Sequence, residues 1–498
     1  MCMKFTSTRA MKELESAQTI TQGISEEGGL FVPTSFPKLS DELIKKMVDM
    51  DYKQRACEVL RLYLTDFTDD EIKKCVEGAY EGKFDDNDPA PLSLLSDKAS
   101  VLELWHGPTC AFKDMALQLL PHLLTVSASK VAEGKTMVIL VATSGDTGKA
   151  ALDGFADVEN TKILVFYPVD GVSPMQKLQM TTQSGSNVAV CAIKGNFDDA
   201  QTGVKKIFTN KDFCKELEEN GMEFSSANSI NFGRLVPQIV YYVSAYCDLI
   251  KAGRLKKGDK FNVVVPTGNF GNILAAYYAK QMGIPIGRFI CASNKNNILT
   301  DFINTGIYDR NRDFYTTTSP SMDILISSNL ERLLFEIYDH DEHKISELMR
   351  ELSEKGRYEI DTNELLKLKS EFTGGFCNDE QTAETIKELY ENYHYLCDTH
   401  TAVAVKVYED YVEKTGDNTQ TVIVSTASPY KFAKSVLSAV DTTEGTESEF
   451  DMVDKLSSIT DTPVPAPLAD LRSRQVLHKS CCEKEQMPEF IKNTLGIK

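Results

Sequence analysis

The sequence predicts an α/β architecture, with parallel sheets covered by helices on both faces and a helical unit ahead of them. Five short apolar runs predict the strands: Thr136-Met-Val-Ile-Leu-Val-Ala, Lys162-Ile-Leu-Val-Phe-Tyr, Asn187-Val-Ala-Val-Cys-Ala, Phe261-Asn-Val-Val-Val and Arg288-Phe-Ile-Cys-Ala. Continuous apolar runs of this length suit strands buried on both faces. Amphipathic segments over 148–155, 174–182, 197–209, 236–252 and 271–282 lie between many of them. Strands alternating with helices imply a parallel, doubly covered sheet.

Taken in order, residues 6–95 are polar with helical periodicity. Helices are expected over 41–50, 54–63 and 69–78, each opened by an acidic or capping residue. Asp85-Asp-Asn-Asp-Pro-Ala-Pro91 is rich in turn formers and closes this unit near residue 95. The expected organisation is a mainly helical unit over 1–95, then a large α/β unit built from 96–130 and 226–440. A small, mobile α/β unit occupies 131–225. Residues 307–400 read as a charged helical insert without clear strands, and Thr421-Val-Ile-Val as a last strand. The acidic stretch 444–451 is expected to be mobile, within a tail over 441–498 that packs on the large unit.

Bulk composition narrows the function. The 498 residues are 42% apolar and 26% charged, ordinary values for a globular chain. The net charge of −19 argues against nucleic-acid or anionic-membrane partners, yet leaves room for a locally positive pocket. No apolar run approaches the ~18 residues of a membrane span, and no signal-peptide pattern follows Met1. The twelve cysteines form no Cys-x-x-Cys pair and no zinc-type spacing with histidine, so no metal is expected. Adjacent Cys481-Cys482 read as two thiols in a loosely held tail. These features point to a reduced, cytoplasmic protein.

Four segments carry chemistry. In His106-Gly-Pro-Thr-Cys-Ala-Phe-Lys113-Asp, a lysine sits in the first turns of a helix after a strand, where its amine could form a Schiff base. In Ser144-Gly145-Asp146-Thr147-Gly148, a strand-to-helix turn offers backbone N–H groups to an anion. It is not a Walker A loop, since position 143 is threonine and Gly148-Lys149 is followed by alanine. Gly268-Asn269-Phe270-Gly271-Asn272, at a second strand-to-helix junction, suits a phosphate monoester and lacks the dinucleotide fingerprint. Ser425-Thr426-Ala427 ends the last strand with hydroxyls able to face a ring nitrogen. Each segment alone also reads as a plain turn or a surface group. All four fall at the carboxyl ends of strands, the edge where open α/β sheets bind ligands. Together they suggest pyridoxal 5'-phosphate (PLP), with Lys113 to the aldehyde and the two cradles for a phosphate and a carboxylate.

These strings, in this order, closely resemble threonine synthases of the longer bacterial and fungal type. The resemblance extends to Ser7-Thr-Arg9, Asn228-Ser229-Ile-Asn231-x-Gly-Arg234, Asp398-x-His400-Thr-Ala and Val464-Pro-Ala-Pro-Leu468, and so covers essentially the whole chain. It implies the fold of the tryptophan synthase β-subunit class. It also implies that Lys113 carries the cofactor, that Gly268 to Asn272 hold its phosphate and that Thr426 faces the pyridine nitrogen. Ser144 to Thr147 are then expected to hold the substrate carboxylate. Asn228, Ser229, Asn231 and Arg234 line the substrate phosphate pocket, with Arg9 a weaker candidate. Two positions depart from the family pattern: Cys110 is variable, and Thr399 stands where proline is frequent.

The implied reaction converts O-phospho-L-homoserine to L-threonine and phosphate in a monomer or homodimer. The nearest rival is a threonine-synthase-like phospho-lyase releasing 2-oxobutyrate, ammonia and phosphate. A rival of another class is an inactive ligand-binding protein on the same fold. The residues assign no chemistry to His400, and His106 reads equally as a pocket-orienting or a structural residue.

Overall fold

The computed structural model describes residues 2–85, 88–132, 134–143, 145–169, 172–441 and 448–497. Two sheets organise it. The large sheet has the strand order Phe372–Phe376, Ile286–Ser293, Phe261–Pro266, Thr421–Ser425, Ala99–Glu103, Leu92–Leu94. All its pairings are parallel except the last, which is antiparallel. The small sheet is parallel throughout, in the order Ser480–Glu483, Val188–Lys194, Thr161–Pro168, Thr136–Ala142, Met222–Ser225. The central strands are buried along their length, as their unbroken Val/Ile/Leu runs require.

The N-terminal unit pairs Phe5–Ser7 with Phe31–Pro33 and adds four helices. Three of these start where capping predicts. Ser40 accepts from the Leu43 N–H, and Asp51 and Thr68 form capping boxes with Gln54 and Glu71. Two of them, Asp41–Met47 and Tyr52–Tyr63, pack on the 20-residue helix Phe232–Lys251, most of whose residues are buried. Arg55 enters that interface, donating to the Met47 carbonyl at 2.8 Å and pairing with Asp248 at 2.7 Å.

The stretch 307–400 is not strand-free. Ile307–Asp309 pairs antiparallel with Arg357–Glu359, and Phe372–Phe376 forms an edge of the large sheet. Gly374 and Gly375 hid that edge strand, because glycine is a poor strand signal. Close packing explains both residues: a Cβ on Gly374 would lie 2.8 Å from the Thr300 Cα, and one on Gly375 2.6 Å from a Val407 methyl.

The tail also departs from expectation. Helix Glu449–Thr460 does pack against Ala433–Val440 on the large unit. Positions 444–447 of the acidic stretch lie outside the described residues. The chain then crosses to the small unit, where Ser480–Glu483 covers the edge strand Val188–Lys194. Helix Met487–Leu495 closes that side, and Met487 and Ile491 are fully buried among Val138, Leu140, Phe166 and Phe213. An edge strand with unpaired backbone groups needs such a cover, and Cys481-Cys482 belong to it.

Because Ile491 fills a closed core, Ile491→Ala should cost about 2–5 kcal/mol. Urea unfolding should show this as a lower midpoint with an unchanged slope.

Candidate active site

Three adjacent strands of the large sheet end side by side: Phe261–Pro266, Thr421–Ser425 and Ala99–Glu103. Their following loops are sewn together by backbone bonds. The Leu104 N–H donates to Ser425, Phe112 to Thr426 and Ser428 to Cys110, at 3.0, 2.8 and 3.1 Å. Cys110 takes a left-handed turn (φ 57°) between them. The result sets Lys113 at the start of the short helix Asp114–Leu117, directly beside the Thr426 loop. Asp114 locks the approach by accepting from the Thr109 N–H and Oγ1 at 2.8 and 2.6 Å. Burial raises the Asp114 carboxyl to about 7 despite those two bonds.

From the small sheet, the loop after Thr136–Ala142 brings Asp146 across to the same place. Asp146 Oδ2 lies 3.5 Å from Lys113 Nζ, and Asp146 Oδ1 lies 2.6 Å from Lys431 Nζ. Gln176 Nε2 also donates to Oδ1, at 3.1 Å. Burial opposes ionisation of Asp146, but Lys431 and then Lys113 outweigh it, and the carboxyl falls far below its ordinary value. Lys113 is 13% exposed. Its amine is lowered, by burial first; Asp146 opposes the shift, while Lys431 and Arg234 add to it.

Arg234, in the first turn of helix Phe232–Lys251, is buried. It donates through Nη1 to the Ala227 carbonyl at 2.6 Å, and its Nε has no partner among the described residues. Burial lowers its guanidinium to about 10, so it remains a cation at neutral pH. Lys113 and Lys431 thus share one carboxylate and Arg234 adds a cation near Lys113, so the site is locally positive inside a chain of charge −19.

The second cradle sits at the start of helix Gly271–Gln281. Asn272 accepts from Tyr241 and Tyr242 hydroxyls at 2.7 and 2.6 Å, and its buried Nδ2 has no partner among the described residues. The Asn269 carbonyl is held by the Asn329 N–H and side chain at 3.1 and 2.9 Å. Gly268 is required by the Ser321 carbonyl, which would lie 2.5 Å from any Cβ there. Phe270 is buried in the left-handed region and Gly271 opens the helix. The Thr426 side chain is buried, and its hydroxyl bonds no other described residue.

Several expected residues take other tasks. Asn231 caps Phe232–Lys251, accepting from the Gly233 N–H and donating to Ile20 and Ser226 carbonyls. Its side chain is fully committed, so it positions Arg234 rather than contacting an anion. Arg9 forks Glu331 at 2.8 and 2.7 Å and is likewise occupied. Asn228 and Ser229 lie partly exposed on the loop ahead of Arg234. Ser144 lies outside the described residues. In its loop, Thr143 Oγ1 accepts the N–H groups of Gly145 and Gly148 at 3.0 Å. The N–H groups of Asp146 and Thr147 open the helix and have no carbonyl within it to meet.

The histidines resolve into supports. His400 Nδ1 lies 2.7 Å from Asp398, and its Nε2 accepts the Ser321 N–H at 3.2 Å. It therefore braces the segment pressed onto Gly268. Thr399, at the first helical position, donates to the Thr318 carbonyl at 2.8 Å, a bond proline could not make. His106 stacks on Trp105 and bridges Asp85 and Glu103, at 2.8 Å each. Sequence reasoning missed Lys431, Gln176 and Ser321. A lysine between Tyr430 and Phe432 reads as exposed, and only the fold reveals that Asp146 and the Thr109 carbonyl draw it fully inside.

Comparison with known proteins gives the family. Residues 4–80 match the family described as threonine synthase N terminus, 100–427 the pyridoxal-phosphate dependent enzymes, and 401–487 the threonine synthase C-terminal family. A solved PLP-bound threonine synthase from Brucella melitensis superposes with a TM-score of 0.88 at 36% identity, covering 99% of both chains. The yeast threonine synthase structure gives 0.88 at 33%, again covering 99% of both. The fold is therefore that of the PLP-dependent enzymes of the tryptophan synthase β-like class. Within that class the chain belongs to the threonine synthase family. A threonine synthase of Pseudomonas aeruginosa is 38% identical over 87% of this chain and 90% of its own. The human protein named threonine synthase-like 1 is 41% identical over 90% of this chain, which spans only 61% of that protein's length.

The His106 bridge makes stability depend on pH. Burial alone would lower the imidazole, but bonds to Asp85 and Glu103 outweigh it and raise it to about 9. A folded value above the ordinary ~6.5 means the contribution is complete below that pH and fades as pH rises through about 9. Asp85 is 41% exposed, which weakens its half of the bridge. His106→Gln should lower the unfolding free energy at pH 6 by at most about 3 kcal/mol, seen as a lower urea midpoint. The gap between the two proteins should narrow by pH 9.5.

Proposed function

We propose that the protein is a threonine synthase, which removes phosphate from Cγ of O-phospho-L-homoserine and adds water at Cβ to give L-threonine. The observation that carries this reading is the buried Lys113 amine, set beside Asp146 in a space that Lys431 and Arg234 make positive. The donor set fits PLP. Lys113 supplies an amine for its aldehyde, and the unpartnered Asn272 Nδ2 stands at a helix start suited to its phosphate. Thr426 supplies a hydroxyl for its ring nitrogen. When bound there, PLP supplies the electron sink for a carbanion at Cα.

The chain's own residues do the rest. Lys113 would hold the cofactor through its amine and, as a free amine, would take the Cα proton as general base. Its lowered basicity favours the free amine needed for both tasks. The open N–H groups of Asp146 and Thr147 receive the substrate carboxylate at a helix N-terminus. Arg234, with an unused Nε, holds the substrate phosphate and stabilises its charge as it leaves. Asn228 and Ser229 complete that end, and Asn231 keeps the Arg234 helix in place.

Product analysis tests the reading. PLP-loaded protein is given O-phospho-L-homoserine, and phosphate, threonine and 2-oxobutyrate are assayed together. Threonine equal to phosphate is expected. Phosphate with 2-oxobutyrate and ammonia would make the protein a phospho-lyase on the same site, and no phosphate would refute the substrate assignment. Lys113→Ala should abolish turnover. Arg234→Ala should lower kcat/KM by about 10²-fold or more; an unchanged kcat/KM would remove it from the phosphate site.

A further inference from the structure

Lys431 is a charged side chain with no exposed surface, placed by a short turn after the strand Thr421–Ser425. It donates to the Thr109 carbonyl at 2.9 Å and pairs with Asp146 Oδ1 at 2.6 Å. Burying an ammonium costs several kcal/mol unless it is well partnered, so this placement calls for a reason. The two oxygens of Asp146 are unequally used. Oδ1 is saturated by Lys431 and Gln176, while Oδ2 stands 3.5 Å from Lys113. A full lysine–carboxylate hydrogen bond closes to about 2.7–2.9 Å, so Lys113 is held short of one.

We propose that Lys431 is a positioning residue for the reaction: by anchoring Asp146 to the large sheet it stops that carboxylate from closing into a full ion pair with Lys113, and so keeps the Lys113 lone pair available. The proposal rests on Lys113 being the cofactor lysine. The charged groups facing Lys113 are Asp146 from the small unit, Lys431 from the turn at 429–432 and Arg234 from helix Phe232–Lys251. Asp114, on its own helix, is turned to Thr109. Nearby Asp153 is taken by Lys149, and burial keeps the Cys110 thiol neutral. Without Lys431, Asp146 would have Lys113 as its remaining cation, and the pair would tighten around a proton.

The test reads the Lys113 amine directly, in the full chain without added cofactor. Protein is pulse-labelled with a trace of acetic anhydride, which acylates only the neutral amine, across a pH series. Peptide mass spectrometry then compares Lys113 with the exposed Lys215. In Lys431→Met, the Lys113 profile should move alkaline by about one pH unit, or about tenfold less labelling at a fixed pH below the midpoint. Lys431→Arg should stay near wild type. An unmoved profile in a folded Lys431→Met protein, or an equal shift in Lys431→Arg, overturns the proposal. If Lys431→Met does not fold, Asp146→Asn is compared with Asp146→Asn/Lys431→Met, which leaves no buried charge of the pair. The two profiles should nearly coincide, because without the Asp146 carboxylate Lys431 has nothing to hold away from Lys113; a single variant that labels at clearly lower pH than the double would mean direct repulsion by Lys431 and overturns the proposal. Neither substrate nor cofactor enters this measurement, so its failure is separable from a failed product analysis. In the PLP-loaded enzyme, the acidic limb of kcat should shift with the labelling profile and be restored by arginine.

Discussion

One carboxylate, Asp146, offsets the positive charge that Lys113, Lys431 and Arg234 bring into a space largely closed to water. Charges so placed have lost most of their hydration, and only partners of opposite sign or hydrogen-bond acceptors make that tolerable. Asp146 reaches its position because the small sheet ends there, and the two lysines because strands of the large sheet do. The ionic contact is therefore also the seam between the units. The closed backbone of the site depends on it as well: Thr109 receives Lys431 on its carbonyl while its N–H and hydroxyl hold Asp114.

The loop Gly268 to Asn272 is built by a different device. Among the described residues no charged side chain hydrogen-bonds directly to any of Gly268 to Asn272. Instead neutral partners are stacked behind it: Asn329 on the Asn269 carbonyl, Ser327 on the Gly268 carbonyl at 2.7 Å, and Ser321 against Gly268 itself. Ser321 is in turn fixed by His400, whose tautomer Asp398 sets from the cap of its helix. A neutral scaffold leaves the N–H groups of the loop as the main source of positive potential, which is what a helix-start anion site uses.

Much of this was legible in the sequence for physical reasons. The strand at 136–142 was readable because burial on both faces demands an unbroken apolar run, and it falls where expected. Lys113, the loop at 145–148 and the loop at 268–272 were readable because glycines and hydroxyls at strand-to-helix junctions are a local signal. Lys431, Gln176 and Ser321 were not, since their partners are thirty or more positions away in the chain and nothing local marks them. The same holds for Asn231, whose type fits both a cap and an anion ligand; only its three bonds decide for the cap. The edge strands Phe372–Phe376 and Ser480–Glu483 were hidden by glycines in one case and by polar residues in the other.

The chain's net charge of −19 does not exclude the proposed phosphate-ester substrate, because surface and site charges act over different distances. At physiological ionic strength, surface charge is screened beyond roughly 8 Å. An approaching phosphate ester therefore feels the diffuse negative surface only weakly. Within the site, walls of low polarisability leave the field of Lys113, Lys431 and Arg234 much less screened. The partial neutralisation by Asp146 then matters as much as the cations themselves. The carboxylate tied to Lys431 removes part of their attraction for an anion, while the Arg234 Nε has no partner among the described residues, and the proposed reaction would use it on the phosphate.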